Sequence, residues 1–351
     1  RLTMDGIAFA HAAYAQGRRR FGIAGTQAAG SPPATLENDA ACFEVMTGAI
    51  LPLGCDCVVP VEKLSIQDGA ATLSSDAAPT PGANIHARGI DCLAGRALLE
   101  AGTRLGPPEI AVIASTGVAR ASVSREPRIA VISTGDELVE PGTPAEAWQI
   151  HRSNAYAVVA ALQRRGFDSV SQHHLPDDLA VLRTRLRALI DGNDVLVLSG
   201  GVSMGRFDYI PQVLQELGIK AVFHKISQRP GKPMWFGVGA GGKAVYALPG
   251  NPVSTLVCLA RYVYGGLAVA QGASDSGSHI VRLAEEFEVK PALTFFLPVS
   301  TALDGAATIV GPHPTQGSGD FTSLLGTDGF VELPPGPAVV PRDALVPFYA
   351  W

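Results

Sequence analysis

The chain is poor in charge and in aromatic rings. Of its 351 residues only 17% are charged and 7% aromatic, against 47% hydrophobic, which excludes a disordered chain and fits a well-buried globular protein. It also lacks a basic excess: 27 Lys and Arg face 32 Asp and Glu, a net charge of -5. That balance argues against a nucleic-acid or anionic-membrane surface. Continuous apolar runs stay short of the ~18 residues that a membrane span needs, and no signal-peptide pattern opens the chain. A cytoplasmic enzyme is expected, with neither nucleic acid nor membrane as partner. The five cysteines, Cys42, Cys55, Cys57, Cys92 and Cys258, show no CxxC spacing, and the eight histidines include no HExxH. Buried thiols are expected rather than zinc or disulfides. The chain opens at Arg1 without Met, so further sequence is expected ahead of it.

What is abundant is punctuation, with 39 Gly and 26 Pro. The length exceeds one typical core, and two to four domains are expected. The organising stretch is 196–208, LVLSGGVSMGRFD. Its apolar, β-branched start suits a strand buried on both faces. Gly200, Gly201 and Gly205 then permit a sharp turn and close approach to a ligand, and Asp208 is placed to cap the helix that follows. A strand, a glycine turn and a helix N-terminus together favour an anion. The spacing is neither GxxxxGK[ST] nor GxGxxG, so a simple strand-to-helix turn stays an equal reading of these residues alone.

Around it the texture changes along the chain. Residues 1–88 carry short apolar runs and read as a β-rich module, and 89–124 as a connecting unit with a helix after Pro107 and Pro108. Residues 125–272 alternate strand and helix signals, which argues a doubly wound α/β domain. Residues 273–351 return to short strands and Pro-rich turns. In such an α/β sheet the loops at the carboxyl ends of the strands gather along one edge. That edge would collect TGDE at 134–137, the loop at 199–205, and QRPGKP at 228–233. Neighbouring carboxylates stay ionised only when a cation or basic group joins them, and oxygen ligands beside a phosphate point to Mg²⁺. The GGK at 241–243 reads as a β-hairpin turn, while LPGNP at 248–252 aims a helix N-terminus at the same edge.

These motifs, in order, are MDG at 4–6, MTGA at 46–49, GCDCVVPVE at 54–62, PGANIHARGID at 81–91, STGDEL at 133–138, SGGVSMGRFD at 199–208, RPGKP at 229–233 and LPGNPVS at 248–254. Together they make the chain resemble the MoeA family, the molybdopterin molybdenumtransferases that include the enzymatic domain of gephyrin. The resemblance implies a multidomain α/β plus all-β architecture. Its parts would be a β-rich N-terminal module, an elongated connecting domain, a doubly wound, MogA-like α/β domain that binds molybdopterin, and a C-terminal β-barrel-like domain. It implies molybdenum cofactor biosynthesis, in which molybdate and adenylylated molybdopterin are substrates, a divalent cation (Mg²⁺) assists, and AMP is released. It also implies a homodimer with a composite cleft, and a molybdopterin adenylyltransferase as delivery partner.

Residue by residue, the resemblance assigns Mg²⁺ to Asp136, Glu137 and Asp208. It gives the phosphate or adenylate to Ser199, Gly200, Gly201, Ser203, Gly205 and the Pro249-Gly250-Asn251-Pro252 turn, and molybdate to Lys232 and Ser254. Asp5, Thr47 and Asp91 would complete the cleft, with Ser323 from the barrel domain. Four features differ from the family pattern: His174 stands where an Asp is usual, Arg229 where a Lys is usual, the apolar ALTFFL at 292–297 where basic residues are expected, and MDGIA at 4–8 where MDGYA is usual. These differences favour a second reading, a non-catalytic relative that binds molybdopterin or another phosphorylated ligand. A hydrolase of another nucleotide-linked substrate is a third.

Overall fold

The computed structural model describes residues 1–202, 209–273 and 278–351, so the expectations for Ser203, Gly205 and Asp208 lie outside the described residues. The chain forms two compact units, Arg1–Leu98 and Leu99–Trp351.

In the first unit the short apolar runs become a six-stranded sheet. Its order is Cys57–Pro60, Gly6–Phe9, Ala41–Val45, Arg20–Gln27, Ala70–Leu73 and Leu64–Gln67. Ile7, Phe9, Phe21, Cys42, Cys57 and Val59 pack beneath it, with the rings of Phe9 and Phe21 stacked at 4.3 Å. Each fully buried aliphatic or aromatic side chain contributes roughly 1.5–3 kcal/mol, and strands Gly6–Phe9 and Cys57–Pro60, buried almost throughout, hold this module although they are only four residues long.

The second unit holds the α/β sheet, in the order Val170–Leu175, Ile129–Thr134, Val195–Ser199, Ala244–Leu248, Trp235–Val238 and Lys220–His224. The first four strands run parallel, and Trp235–Val238 is antiparallel to its neighbours on both sides. The two central strands are buried along their whole length, which is why their sequences are apolar without alternation. Leu182, Leu186 and Val213 cover one face, and Val158, Leu162 and Val263 the other.

Helix Leu179–Gly192 is capped by Asp178, whose Oδ1 accepts from the Val181 N–H at 2.8 Å. Ser153 stands at the N-cap of Asn154–Arg164, yet its side chain makes no capping bond. The turn around 241–243 closes the expected hairpin between Trp235–Val238 and Ala244–Leu248.

Helical residues Pro252–Ala270 form a continuous stretch of 19 residues with mean hydropathy 1.5, long and apolar enough by composition to cross a membrane. It is not an uninterrupted apolar run, since it contains Ser254, Thr255 and Arg261. In this fold 56% of it is buried against the protein's own cores. Val253 and Val257 meet Phe296 and Phe330, while Leu259, Val263 and Leu267 lie on the α/β sheet. A single π-helical turn, Leu259–Val263, interrupts it.

The C-terminal strands Thr294–Asp304, Ala307–Pro312, His279–Leu283, Leu345–Ala350 and Gly329–Leu333 pair in a ring, because Thr294–Asp304 also bonds Gly329–Leu333. The ring is a closed, barrel-like sheet filled by Val299, Val310, Val331 and Phe348. Closure removes the open edges that would otherwise template further strands. Strand Gln228–Arg229 joins its rim, parallel to Thr294 and Phe295.

Candidate active site

The carboxyl ends of the parallel strands gather as expected, and the strand order sorts their chemistry. Beside His174 on the first strand come Asp136 and Glu137 after the second. The neutral Ser199-Gly200-Gly201 turn follows the third, and Pro249-Gly250-Asn251 the fourth. Because Trp235 pairs with Ala247 in antiparallel register, the connection carrying Arg229 and Lys232 reaches the sheet at that same edge. Acid, neutral anion turn and base therefore follow one another along the sheet.

At the acidic end Asp136 Oδ1 accepts from the Asp177 N–H at 3.1 Å, and His174 Nε2 donates to the Gly135 carbonyl at 2.9 Å. Glu137 folds back over Gly135: a Cβ there would lie 2.4 Å from Glu137 Oε2. Among the described residues no group of three His, Cys, Asp or Glu side chains is arranged for a metal. Two exposed carboxylates still suit Mg²⁺, which takes one or two of them and completes its shell with water and substrate phosphate.

In the middle, Gly200 and Gly201 both have positive φ, 101° and 66°, and a Cβ on Gly200 would lie 2.7 Å from the Thr134 carbonyl oxygen. Only glycine lets the two loops touch. The Ser199 hydroxyl accepts from Asn154 Nδ2 at 2.9 Å, and the same nitrogen donates to the Gly250 carbonyl at 2.6 Å. Thr255 Oγ1 donates toward the Pro249 carbonyl at 2.7 Å. These bonds tie together the turns that follow two neighbouring strands and the start of helix Asn154–Arg164. Ser133 Oγ, Thr134 Oγ1 and Asn154 Oδ1 are buried there without a partner among the described residues, leaving polar capacity for water or ligand.

At the basic end a cavity of about 320 Å³ lies between the α/β edge and the barrel. Arg229, Lys232, Asn251 and Ser254 line it on one side, and Phe295 and Leu297 on the other. Arg229 and Lys232 are exposed and form no ion pair with a described residue. Two cations without an ion pair among the described residues stand against an apolar wall, where low polarity strengthens the attraction of a cation for an anion. Asn251 Nδ2 donates to Ser318 Oγ at 2.7 Å across the cavity mouth.

The structure thus brings Arg229, Lys232, Pro249, Asn251 and Ser254 together in one cavity, and Ser199, Gly200 and Gly250 in the adjoining turn. Pro252 opens the helix behind them. Ser323 is held locally, its hydroxyl donating to the Asp320 carbonyl at 2.8 Å, and it does not line the cavity; Ser318 does. In the first unit Asp5 and Thr47 meet: Asp5 Oδ1 accepts from the Thr47 N–H at 2.6 Å and its hydroxyl at 2.7 Å. The Thr47 amide, then its hydroxyl, hold the Asp5 carboxyl below its ordinary pKa. Asp91 is separately paired with His86 at 2.8 Å. Asn154 and Ser318 were missed from sequence. Asn154 follows a serine that reads as a cap, and Ser318 sits in a Gly/Ser turn indistinguishable from a loop.

The "MoeA N-terminal region (domain I and II)" matches residues 1–117, the "probable molybdopterin binding domain" 130–268, and the "MoeA C-terminal region (domain IV)" 265–351. A molybdopterin molybdenumtransferase of Synechocystis sp. is 42% identical over 100% of this chain and 88% of its own length. The chain belongs to the MoeA family. A second member, from Nostoc sp., is 31% identical over 90% of this chain and 73% of its own length. The crystal structure of the molybdopterin biosynthesis MoeA protein from Pyrococcus horikosii superposes with a TM-score of 0.82 at 31% identity, covering 100% of this chain and 87% of that one. The MoeA architecture accounts for the α/β domain joined to a closed C-terminal barrel and a separate β-rich N-terminal module.

Proposed function

We propose that this MoeA-family chain is a molybdopterin molybdenumtransferase that takes adenylylated molybdopterin and molybdate, cleaves the phosphoanhydride and releases AMP. The observation that carries the reading is the sorted edge: carboxylates at one end, a glycine turn in the middle, and the unpaired Arg229 and Lys232 in the cavity at the other end. An anhydride needs its charge neutralised while an oxyanion is held nearby, an electrostatic and positional task with no covalent demand on the protein.

In this reading the Ser199-Gly200-Gly201 turn and Asn251 hold the phosphate by donated hydrogen bonds. Lys232, Arg229 and Ser254 receive molybdate. Asp136 and Glu137 would hold Mg²⁺, with Asp208 assigned beside them by the family motif. Bound there, the ion would draw charge from the anhydride oxygens. His174, bonded to the Gly135 carbonyl, braces the turn that presents the two carboxylates rather than joining a ligand set. The apolar wall of Phe295 and Leu297 excludes water from the oxyanion.

We also infer a homodimer. Helix Pro107–Ser115 buries none of its residues although it carries Ile110, Val112 and Ile113, and Ile110 is 53% exposed, which supports coverage by a second copy. The adenylylated substrate calls for an adenylyltransferase upstream, and the free cysteines fit a reducing cytoplasm.

The test is direct. The protein is incubated with adenylylated molybdopterin, Mg²⁺ and a molybdate series, and AMP is followed by chromatography. Molybdate-dependent release is expected; no release above the protein-free rate removes the assignment. Binding of the pterin without AMP release would instead favour the non-catalytic reading.

A further inference from the structure

The residue just before the two cavity cations is built into the protein in an unusual way. Gln228 is 1% exposed, although it precedes the exposed Arg229 and lies on a two-residue strand at the barrel rim. Its Nε2 donates to the Pro230 carbonyl at 3.1 Å and lies 3.5 Å from Cys258 Sγ. Its Oε1 accepts from the hydroxyl of Tyr262. Burying an amide costs free energy unless it is hydrogen-bonded, and this one is bonded at both ends.

Tyr262 belongs to the π-helical turn Leu259–Val263. Such a turn inserts a residue and shifts the helix phase, and it occurs chiefly where a side chain must be re-aimed. This helix serves two cores: Val253, Val257 and Ala260 pack with Phe296 and Phe330, while Cys258, Leu259, Val263 and Leu267 pack on the sheet. Tyr262 packs against the sheet-side core. Burial pushes its hydroxyl pKa well up, so it remains a donor.

The loop is fixed from a third side as well. Gly231 has φ +94°, and a Cβ there would lie 2.6 Å from both Cys258 Sγ and Gln228 Nε2. The Ile226 N–H donates to the Lys232 carbonyl at 2.9 Å, closing the loop on itself.

We propose that Gln228, locked by Tyr262 from the π-turn, is a positioning residue that holds Arg229 and Lys232 at the separation an oxyanion requires. The inference rests on the reading of this cavity as the molybdate site. It predicts that loosening Gln228 weakens oxyanion binding while leaving the phosphate seat unchanged. Gln228 lines the cavity beside Arg229 and Lys232, but its amide is spent on the Pro230 carbonyl and the Tyr262 hydroxyl, so in this scheme both residues act through the backbone of 229–232.

The experiment compares wild type with Tyr262→Phe and Gln228→Leu, two substitutions of similar volume. Molybdate binding is measured by calorimetry and molybdate-dependent AMP release by steady-state kinetics, alongside thermal unfolding. The half-saturating molybdate concentration is expected to rise about 5- to 10-fold in each variant, with the KM for adenylylated molybdopterin within about twofold. The double variant is expected to match Gln228→Leu alone, because the two residues form one chain of bonds. Unchanged molybdate affinity in both variants, with or without a lower melting temperature, makes the role merely structural and overturns the proposal. If wild type binds molybdate but releases no AMP, the reaction assignment fails and the binding comparison still decides this one. If wild type binds no molybdate, both fall.

Discussion

The two edges of the α/β sheet both carry charge and use it in opposite ways. At the amino edge Asp194 and Lys243 are both matched. Asp194 accepts from the Arg128 N–H at 2.8 Å and from Arg125 at 2.8 and 3.0 Å, and Lys243 donates to the carbonyls of Ile190, Asp191 and Asn193 at the end of helix Leu179–Gly192. At the carboxyl edge Arg229 and Lys232 have no acidic partner among the described residues, and buried hydroxyls are left unfilled. Among the described residues the fold matches its charge at the amino edge and not at the carboxyl edge, which is the contrast that the proposed site rests on. Lys243 and Lys232 make the contrast plain. Both follow glycine; Lys243 is spent on helix carbonyls, whereas Lys232 lines the cavity.

The comparison predicts that damage at the carboxyl edge removes activity and leaves stability, while damage at the amino edge does the reverse. The largest effect is expected for Lys232→Ala: a fall of ~10²–10³-fold in molybdate-dependent AMP release, typical of losing one charged donor at the reacting centre. Its melting temperature should stay within a degree or two, as for a substitution at an exposed site. Asp136→Asn is expected to raise the half-saturating Mg²⁺ concentration at least about tenfold, read by metal titration of the same rate. A rate equally insensitive to Mg²⁺ in both proteins would break the assignment of the acidic end.

At the amino edge Asp194→Asn is expected to cost about 1–2 kcal/mol by removing charge-assisted bonds, a fall of roughly 2–4 °C per kcal/mol for a domain of this size, with both KM values unchanged. Arg125, more than any other group, lowers the Asp194 pKa in the folded state. Its contribution is therefore fully present above the ordinary carboxylate pKa near 4 and is lost as pH falls below it. Wild type should lose its advantage over Asp194→Asn progressively as pH falls below about 4, and a difference that stays constant as the pH is lowered would sink the account. Lys243→Met should be the mildest, about 1 kcal/mol from helix carbonyls that lose their donor, with no change in turnover.

Much of this was legible beforehand. Strands Ile129–Thr134 and Val195–Ser199 read as buried because they are short, apolar and β-branched-rich, and their glycine-bearing ends marked the binding edge through a general property of α/β sheets. Lys232, Asn251 and Ser254 were singled out through a family resemblance, and the fold places them in one cavity. What escaped was second-layer chemistry. Gln228 and Tyr262 are 34 positions apart, Asn251 and Ser318 67 apart, and Asn154 and Gly250 96 apart. Each looks like an ordinary polar residue until strand order and helix phase bring it to its partner. Of the three residues proposed for Mg²⁺, Asp208 lies outside the described residues, so Asp136 and Glu137 define the acidic end.

The sequence by itself determined the elements, because hydrophobic period and glycine or proline punctuation act over a few residues and need no distant partner. Membership of the family followed from eight motifs in order. Only the tertiary structure decided which charges are matched and which are free, because a strand's neighbour in the sheet is not its neighbour in the chain. Strand order, with Ile129–Thr134 between Val170–Leu175 and Val195–Ser199, set acid beside anion turn beside base. Closure of the barrel then put an apolar wall opposite Lys232, where low polarity strengthens its attraction for an oxyanion.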